Sequence, residues 1–365
     1  MNLSLTLQST FQSRRVLITG HTGFKGSWLC LWLTKLGAQV IGYSLPPPTR
    51  PSLFEICALQ DKIVSITGDI RDFVTLKNTI LKWEPEFVFH MAAQSLVRQS
   101  YREPIETYQT NVMGTVNVLE ACRQAPSVRI VINVTSDKCY DTRSASKGYR
   151  ETDPLGGEDP YSSSKACAEL VTHAYLHSFL SPEAYAQHGK SLASVRAGNV
   201  IGGGDWGGDR LVPDCVRAFT SKQPVLIRYP EAIRPWQHVL EPLCGYMLLA
   251  RDLMQSRGTG VGAWNFGPNE DSFKSVGWVV QKIVELWGNG ASWRADHGIN
   301  PREALQLRLD SSRARSLIGW SPRWPLEPAL KKTMEWYKSY YSGKPMMPIT
   351  VYHIDAYEDG IEGRS

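Results

Sequence analysis

The sequence predicts an α/β fold in which a parallel sheet carries helices on both faces and a smaller α/β lobe follows toward the C-terminus. Three observations support this prediction. The chain has 365 residues, 42% of them hydrophobic, which is enough for a large buried core. Short β-branched runs alternate with segments of helical periodicity. A glycine-rich turn joins the first such run to the first helical segment.

The predicted elements begin with a strand at Val16–Thr19, an amphipathic helix at Ser27–Leu36 and a strand at Gln39–Tyr43. The alternation continues with a strand at Ile63–Thr67, a helix at Phe73–Trp83, a strand at Phe87–His90, a helix at Thr110–Ala125, a strand at Val128–Val134, a helix at Ser162–Phe179 and a strand at Leu192–Ala197. Strands separated by helices predict a doubly wound parallel sheet of the Rossmann type.

Residues 198–208 contain too many glycines for a helix or a strand interior, so we expect a long loop there. Beyond it, prolines break the alternation. We therefore assign residues 12–198, with a return segment near 233–266, to a dinucleotide-binding domain, and residues 199–232 and 267–345 to a substrate lobe. The run Ile361–Arg364 is typical of a protease recognition sequence added for expression, so we exclude residues 361–365 from the fold.

The bulk composition favours an enzyme that acts on a small molecule. A net charge of +5 without a basic stripe argues against nucleic-acid binding and fits a small anionic substrate. The seven cysteines include no Cys-x-x-Cys pair, which argues against zinc and a disulfide framework. No signal-peptide pattern and no run of ~18 apolar residues is present, so we expect a soluble cytoplasmic protein without a bound metal.

The turn Gly20-His21-Thr22-Gly23-Phe24-Lys25-Gly26 lies where a dinucleotide pyrophosphate meets a helix N-terminus. The alternative is a tight turn without a ligand. An acid that would bind the adenosine ribose is missing from residues 39–50, which leaves NAD or NADP open and predicts loose binding of NAD. Arg50 is either a contact for a 2′-phosphate or an exposed loop arginine. The candidate cofactor contacts are Gly20, Thr22, Gly23, Phe24, Lys25, Gly26, Asp69, Ile70, Ala92, Ala93, Gln94, Tyr161 and Lys165.

The candidate catalytic residues are Ser136, Asp137 and Lys138 at the end of a strand, and Tyr161 and Lys165 on the helix after it. The Tyr-x-x-x-Lys spacing places both side chains on one helical face. We expect Lys165 to hold the pKa of Tyr161 below its usual ~10, so that the phenol accepts a proton during hydride transfer. Surface residues are the alternative, since Tyr340 and Lys344 repeat the spacing where we expect no catalysis.

Taken together, these motifs resemble the extended short-chain dehydrogenase/reductase family over about Arg14 to Trp336. They also include His90-Met91-Ala92-Ala93 and Asn111-Val112-Met113-Gly114. Within that family the chain resembles the nucleotide-sugar 4,6-dehydratases. Residues 20–27 and 42–55 are most similar to the corresponding residues of the dehydratases that act on CDP-D-glucose.

The resemblance implies an internal redox reaction with bound NAD. Ser136 would hold the C4 oxygen of the sugar, Tyr161 would take the C4 hydroxyl proton, and Lys165 would bind the nicotinamide ribose. Asp137 would protonate the departing C6 hydroxyl; a turn or cap aspartate is the alternative. Related dTDP-glucose dehydratases carry an acid at the position of Lys138, so Lys138 is either a neutral base at C5 or a cation that stabilises the enolate.

The resemblance implies substrate contacts at Asn199, Arg234 and Trp236. Arg210 and Arg302 are further candidates, with ordinary surface arginines as the alternative. An arginine fork fits a diphosphate, and Trp236 is either a face for the base or a core aromatic. Asn111 either caps its helix or organises the active site. The resemblance further suggests a homodimer or homotetramer built on a four-helix bundle, and a place in the synthesis of dideoxy sugars of bacterial lipopolysaccharide.

Two other functions remain open from the sequence. A nucleotide-sugar 4-epimerase or reductase would use Ser136, Tyr161 and Lys165 but has no use for an acid at Asp137. A non-catalytic dinucleotide-sensing protein would need none of these side chains.

Overall fold

The computed structural model describes residues 2–141, 148–296, 298 and 308–360. The strands in this part of the chain are β1 (Arg15–Thr19), β2 (Gln39–Ser44), β3 (Val64–Thr67), β4 (Phe87–His90), β5 (Ile130–Val134), β6 (Ser191–Ala197), β7 (Val200–Ile201), β8 (Val225–Ile227), β9 (Ile233–Pro235), β10 (Gln237–His238), β11 (Gly262–Phe266), β12 (Phe273–Ser275) and β13 (Trp293–Ala295).

The α-helices are α1 (Leu3–Phe11), α2 (Phe24–Lys35), α3 (Leu53–Ile56), α4 (Phe73–Trp83), α5 (Val97–Arg102), α6 (Pro104–Tyr108), α7 (Gly114–Gln124), α8 (Pro160–Phe179), α9 (Tyr185–His188), α10 (Leu211–Thr220), α11 (Leu240–Ser256), α12 (Val276–Trp287), α13 (Ser312–Ile318), α14 (Leu326–Tyr341) and α15 (Met346–Glu358). No helix of the described residues is long and apolar enough to cross a membrane.

The central sheet has seven parallel strands in the order β11-β6-β5-β4-β1-β2-β3. The doubly wound α/β prediction is therefore confirmed. The strand order reverses between β1 and β4, and ligands bind beside the carboxyl ends of strands at such a switch point. We therefore expect a ligand site among the residues that follow β1, β4, β5 and β6.

Each strand alternates between two apolar cores because its side chains point to opposite faces of the sheet. In β1, Val16 and Ile18 pack with Trp28 and Trp32 of α2 on one face. Leu17 packs on the other face with residues of α4, α7 and α8. Burial on both faces accounts for the nearly continuous apolar strands of this sequence.

Most predicted elements match within a few residues, and the differences have local causes. Helix α2 begins at Phe24 rather than Ser27, since the glycine turn leads directly into it. The predicted helix at 110–125 is α7 preceded by a π-helical turn, Gln109–Met113. Helix α1, which we did not predict, buries Leu3, Leu7 and Phe11 at helical spacing between polar residues.

Beyond β6, one strand joins the main sheet and the other strands form separate two-stranded pairs. Strand β11 joins the edge of the main sheet beside β6, and it falls in the segment predicted to return to the dinucleotide-binding domain. The glycine-rich loop contains β7, which pairs with β10, although we expected no strand there. The pairs β9–β12 and β8–β13 lie outside the main sheet. The two-domain division stays a prediction.

Candidate active site

The glycine-rich turn after β1 leaves the N-terminus of α2 open toward the sheet edge. Gly20 has a φ of +76°, and a side chain there would place its Cβ 2.7 Å from the backbone nitrogen of Ala92. A Cβ on Gly26 would lie 2.2 Å from the carbonyl oxygen of Gly20. Gly23 is the N-cap and provides no side-chain bond. The first N–H groups of α2 are therefore available for an anion, as a pyrophosphate requires.

The residues after β4 complete this side of the site. The Thr19 hydroxyl lies 2.7 Å from His90 Nδ1 and accepts hydrogen bonds from the backbone N–H groups of Met91 and Ala92. This contact fixes the chain where β1 and β4 diverge. Ala92 and Ala93 then follow with small side chains, so a ribose could approach the backbone.

The Asp69 carboxylate is engaged locally. It accepts hydrogen bonds from the Arg71 backbone N–H at 2.8 Å and from the Arg71 guanidinium at 2.6 and 2.9 Å. These bonds hold the pKa of Asp69 below its usual value. The end of β2, where an acid would bind the adenosine ribose, carries Ser44 instead. The Ser44 hydroxyl lies 2.9 Å from the Thr22 hydroxyl. An adenosine would therefore meet a charge-paired carboxylate and neutral hydroxyls.

Helix α8 presents Tyr161 and Lys165 toward the carboxyl end of β5. Both side chains are buried, and the Lys165 ammonium lies 3.5 Å from the carbonyl oxygen of Val134. The start of the helix is fixed by the Ser100 hydroxyl, which accepts from the Tyr161 backbone N–H at 3.1 Å. The geometry matches the face predicted from the four-residue spacing.

Asn111 lies in the π-helical turn and is not a helix cap. Its amide nitrogen donates to the Gln94 carbonyl at 3.0 Å and to the Ser164 hydroxyl at 2.9 Å, while its Oδ1 accepts from the Gln94 backbone N–H. It therefore links the loop after β4 to the turn of α8 between Tyr161 and Lys165, as the organising alternative requires.

Ser136, Asp137 and Lys138 follow β5, where Ser136 caps a short 3₁₀ turn. The Ser136 hydroxyl donates to Asp137 Oδ1 at 3.2 Å. Asp137 Oδ2 is buried and has no hydrogen-bond partner among the described residues. Gly198 makes room for it, because a Cβ at that position would lie 2.9 Å from Oδ2 and 2.4 Å from Cγ of Pro235. One oxygen of the Asp137 carboxyl is thus available to a ligand.

The protonation states differ in part from those expected. Burial raises the pKa of Asp137, as a general acid requires, although Lys138 and the Ser136 hydrogen bond partly oppose it. Burial also raises the pKa of Tyr161 to about 12, so the expected lowering by Lys165 is wrong. Burial lowers the pKa of Lys165 to about 8, with a further lowering by Lys25. Desolvation therefore outweighs the effects that lower the pKa of Tyr161, which come from the Ser136 hydroxyl and the charge of Arg210.

The described substrate candidates line the same cleft as the catalytic candidates. The Arg210 guanidinium donates to both carboxylate oxygens of Asp205 at 3.0 Å and to the Ser95 hydroxyl at 2.8 Å. Trp236 is 3% exposed and donates through its indole nitrogen to the Lys274 carbonyl, which favours the core alternative. Arg234 is buried. Arg302 lies outside the described residues.

One cleft of about 750 Å³ connects these groups. Its lining contains the glycine turn, Asp69, Ala92, Ala93 and Gln94 on the cofactor side, the five candidate catalytic residues, and Asn199, Arg210, Arg234 and Trp236. Sequence inspection missed Asp205, Ser95 and Gly198. Gly198 alone had a signal, because it follows a predicted strand where a glycine keeps space for a neighbour.

The arrangement supports two proton transfers and a hydride transfer. A hydroxyl, a phenol and a cation at Ser136, Tyr161 and Lys165 suit the oxidation of a carbinol. The protonatable acid at Asp137 adds a donor for a leaving hydroxyl. A simple alcohol dehydrogenase has no need for this additional acid.

Similarity to known proteins agrees with this chemistry. The family model for GDP-mannose 4,6 dehydratase matches residues 17–333. The chain is 54% identical to a CDP-glucose 4,6-dehydratase from Salmonella typhimurium over 95% of this chain and 97% of that protein. It is 26% identical to a UDP-glucose 4-epimerase from Halalkalibacterium halodurans, over 90% of this chain and 97% of that one. The solved structure of MoeE5 in complex with UDP-glucose and NAD matches with a TM-score of 0.71 and 26% identity, over 90% of this chain and 99% of that one.

Proposed function

This chain belongs to the GDP-mannose 4,6-dehydratase family, and on that premise we propose that it converts CDP-D-glucose to CDP-4-dehydro-6-deoxy-D-glucose. The observation that carries the proposal is the buried Asp137 carboxyl, whose Oδ2 has no partner among the described residues and whose pKa is raised by burial. The CDP-glucose 4,6-dehydratase that is 54% identical over almost the whole chain supports the choice of nucleotide.

The oxidation step would use the groups at the end of β5 and the start of α8. Tyr161 would accept the C4 hydroxyl proton while Ser136 donates a hydrogen bond to the C4 oxygen. NAD, held by the glycine turn after β1 and by Lys165, would supply the hydride acceptor for C4 and the hydride donor for C6. Lys165 would bind the nicotinamide ribose. Its positive charge favours the tyrosinate, whose formation burial otherwise opposes.

The elimination step would use the next two residues of the same turn. The new 4-keto group acidifies the C5–H bond. Lys138 would either remove the C5 proton as a neutral base or stabilise the enolate as a cation while another group takes the proton, and the group that takes it would return a proton to C5 when the hydride reaches C6. Asp137 would protonate the C6 hydroxyl as it leaves as water. Burial keeps Asp137 protonated at a higher pH than an exposed carboxyl, which is the state that a proton donor needs.

NAD fits the cofactor side of the cleft. The open N-terminus of α2 would bind the pyrophosphate through backbone N–H groups, with Gly20, Thr22, Gly23, Phe24, Lys25 and Gly26 around it. Asp69 and Ile70 would lie beside the adenine, and Ala92, Ala93 and Gln94 beside the ribose. Since β2 ends without an acid, we expect the NAD dissociation constant to be higher than in enzymes that chelate the ribose with a carboxylate.

The nucleotide sugar would occupy the other half of the cleft. Arg210 and Arg234 would bind the diphosphate, and Asn199 would lie beside the sugar. The Arg210 guanidinium has five N–H donors, and its three bonds to Asp205 and Ser95 leave others for a phosphate oxygen. An arginine already anchored on Asp205 by two bonds is held in place for that contact.

We also propose that two chains associate through α6, α7 and α8. Large apolar side chains are exposed on α6, on α8 and in the π-helical turn before α7, with Ile105 73%, Leu170 56% and Met113 52% exposed. Exposed apolar side chains clustered on packed helices are typical of an interface between subunits. The seven free thiols favour a reducing compartment, so we place the reaction in the cytoplasm.

The test is mass spectrometry of CDP-D-glucose after incubation with the protein and NAD in deuterium oxide. The proposal predicts the loss of one water and the gain of one non-exchangeable deuterium, at C5. An epimerase would return a sugar of unchanged composition, and a dinucleotide sensor would return the substrate. Parallel reactions with dTDP-, GDP- and UDP-glucose test the nucleotide, and turnover of one of these instead would contradict the choice of CDP.

A further inference from the structure

Behind the catalytic side chains lies a buried ion pair that the proposed mechanism does not use. Arg196 of β6 donates to Glu169 of α8 at 2.7 Å, and both side chains are 3% exposed. The Ser194 hydroxyl also donates to Glu169, at 2.7 Å. A buried ion pair is weak evidence for stability, because apolar residues of similar volume often stabilise a fold as well. Its contacts indicate a different role.

The ion pair lies in line with the catalytic residues of α8. Tyr161, Lys165 and Glu169 are spaced by four residues, so their side chains follow one another along a single helical face. All three are buried. One turn further, the Thr172 hydroxyl accepts a hydrogen bond from the Asn133 amide at 2.7 Å. The face of α8 that holds Tyr161 and Lys165 at its N-terminal end is therefore hydrogen-bonded to the sheet further along the helix.

The same ion pair holds both ends of the Ser136–Cys139 turn. On one side, the Thr135 hydroxyl, immediately before Ser136, donates to Glu169 Oε1. On the other side, the Tyr140 hydroxyl accepts from Arg196 at 2.7 Å, and the Arg196 guanidinium lies 4.8 Å from the centre of the Tyr140 ring. Tyr140 in turn donates to Asn265 of β11 at 2.7 Å.

From these contacts we infer that Glu169 and Arg196 are positioning residues, which set the distance and register between Tyr161 and Lys165 on α8 and the Ser136–Asp137–Lys138 turn after β5. The inference rests on the proposed function for the steps that it affects. Oxidation and elimination act on adjacent carbons of one sugar, so the two sets of groups must keep a fixed geometry through both steps. An ion pair bonded to the helix and to both ends of the turn meets this requirement.

The pair also acts on Lys165 through its charge. Glu169 raises the pKa of Lys165, against the lowering by burial. Loss of the Glu169 carboxylate would leave Arg196 as an uncompensated cation in the same buried region. Lys165 would then lose its proton at a lower pH, a change that a purely structural contact would not produce.

The primary test compares Glu169→Gln with a matched control, Glu358→Gln. Glu358 is also a buried carboxylate, bound to Lys35 at 2.5 Å and to the Trp32 indole nitrogen at 2.7 Å, but it lies on α15 outside the cleft. For Glu169→Gln we expect kcat to fall about a hundredfold with little change in KM, as for a small misplacement of reacting groups. For Glu358→Gln we expect kcat within about twofold of the parent. Equal kcat values in the two variants would overturn the inference.

The second measurement does not depend on turnover. The pKa of Lys165 is followed by NMR of ¹⁵N-lysine-labelled protein without substrate, and it should fall in Glu169→Gln and remain at the parent value in Glu358→Gln. If the parent protein does not turn over CDP-D-glucose, the proposed function fails while this titration still tests the ion pair. An unchanged Lys165 pKa in Glu169→Gln would contradict the inference.

Two further variants test the inference if Glu169→Gln does not fold. The double variant Glu169→Gln/Arg196→Met removes both charges together, so no unpaired cation is left buried. Thr135→Val keeps the ion pair and removes its bond to the turn, together with the hydrogen bond from the Thr135 hydroxyl to the Val195 carbonyl. We expect both to fold and to lose at least tenfold in kcat, and parent-like kcat in both would overturn the inference.

Discussion

Replacement of Asp137 by asparagine should separate the two halves of the reaction. The substitution is nearly isosteric, and Asn Oδ1 can still accept the Ser136 hydrogen bond, which spans 3.2 Å in the parent. Because burial already favours the neutral acid, a neutral amide should change stability little. The amide cannot donate a proton to the departing hydroxyl, so elimination should be impaired while oxidation continues.

The magnitude follows from the role of a general acid, which contributes about 10²–10⁴-fold, or about 3–5 kcal/mol of activation free energy. Overall kcat should fall by that factor. With substrate and NAD, the absorbance of enzyme-bound reduced nicotinamide should rise and persist, because hydride return waits for elimination. Parent-like turnover, or loss of the oxidation step together with elimination, would refute the role of Asp137.

Four further predictions follow from the geometry and the pKa values. Gly198→Ala should lower elimination more than oxidation, since its Cβ would lie 2.4 Å from Cγ of Pro235 and crowd the acid; equal loss in both steps would contradict this. Tyr161→Phe should leave the fold intact, with parent-like circular dichroism, and lower the rate of oxidation about 10²–10⁴-fold; formation of reduced cofactor at a parent-like rate would contradict it. The kcat/KM for oxidation should rise with pH below about 8, because more of Tyr161 is then ionised, and level off above about 8, where Lys165 loses its proton and no longer favours the tyrosinate; a profile that keeps rising well above that pH would count against that lysine. Burial lowers the pKa of His353 from 6.5 to about 3, so its contribution to stability is complete above pH 6.5 and is lost as the pH falls. His353→Gln should remove about 1.4 kcal/mol per pH unit from the slope of urea-derived stability below pH 6.5, and an unchanged slope would refute it.

The sheet was predictable because its strands are buried on both faces and flanked by helices of regular periodicity. The glycine turn identified β1 and α2 together, because three glycines at this spacing are typical of the turn between the first strand and the first helix of such a sheet. Helix α1 was missed because polar residues separate Leu3, Leu7 and Phe11. The π-helical turn at Gln109–Met113 was missed because no local residue pattern distinguishes it from an α-helix.

The catalytic candidates were identified by their order along the chain, because Ser136, Asp137 and Lys138 follow a strand and Tyr161 and Lys165 lie on the helix after it. Their protonation states were not accessible in the same way. Burial of Tyr161 and Lys165 depends on the packing of α8 against the whole sheet, so neither pKa could be inferred from a four-residue spacing. The pair Glu169–Arg196 was invisible for a similar reason, because its members are 27 residues apart and meet only in the folded chain.

The most direct test of the account follows a label from C4 of the sugar. CDP-D-glucose carrying deuterium at C4 is incubated with the protein and NAD in ordinary water, and the product is examined by NMR. We expect the deuterium to appear at C6 of a 4-keto-6-deoxy sugar. Deuterium retained at C4 of a hexose with inverted configuration would identify an epimerase, and deuterium released into a free pool of reduced cofactor would contradict the internal return of the hydride.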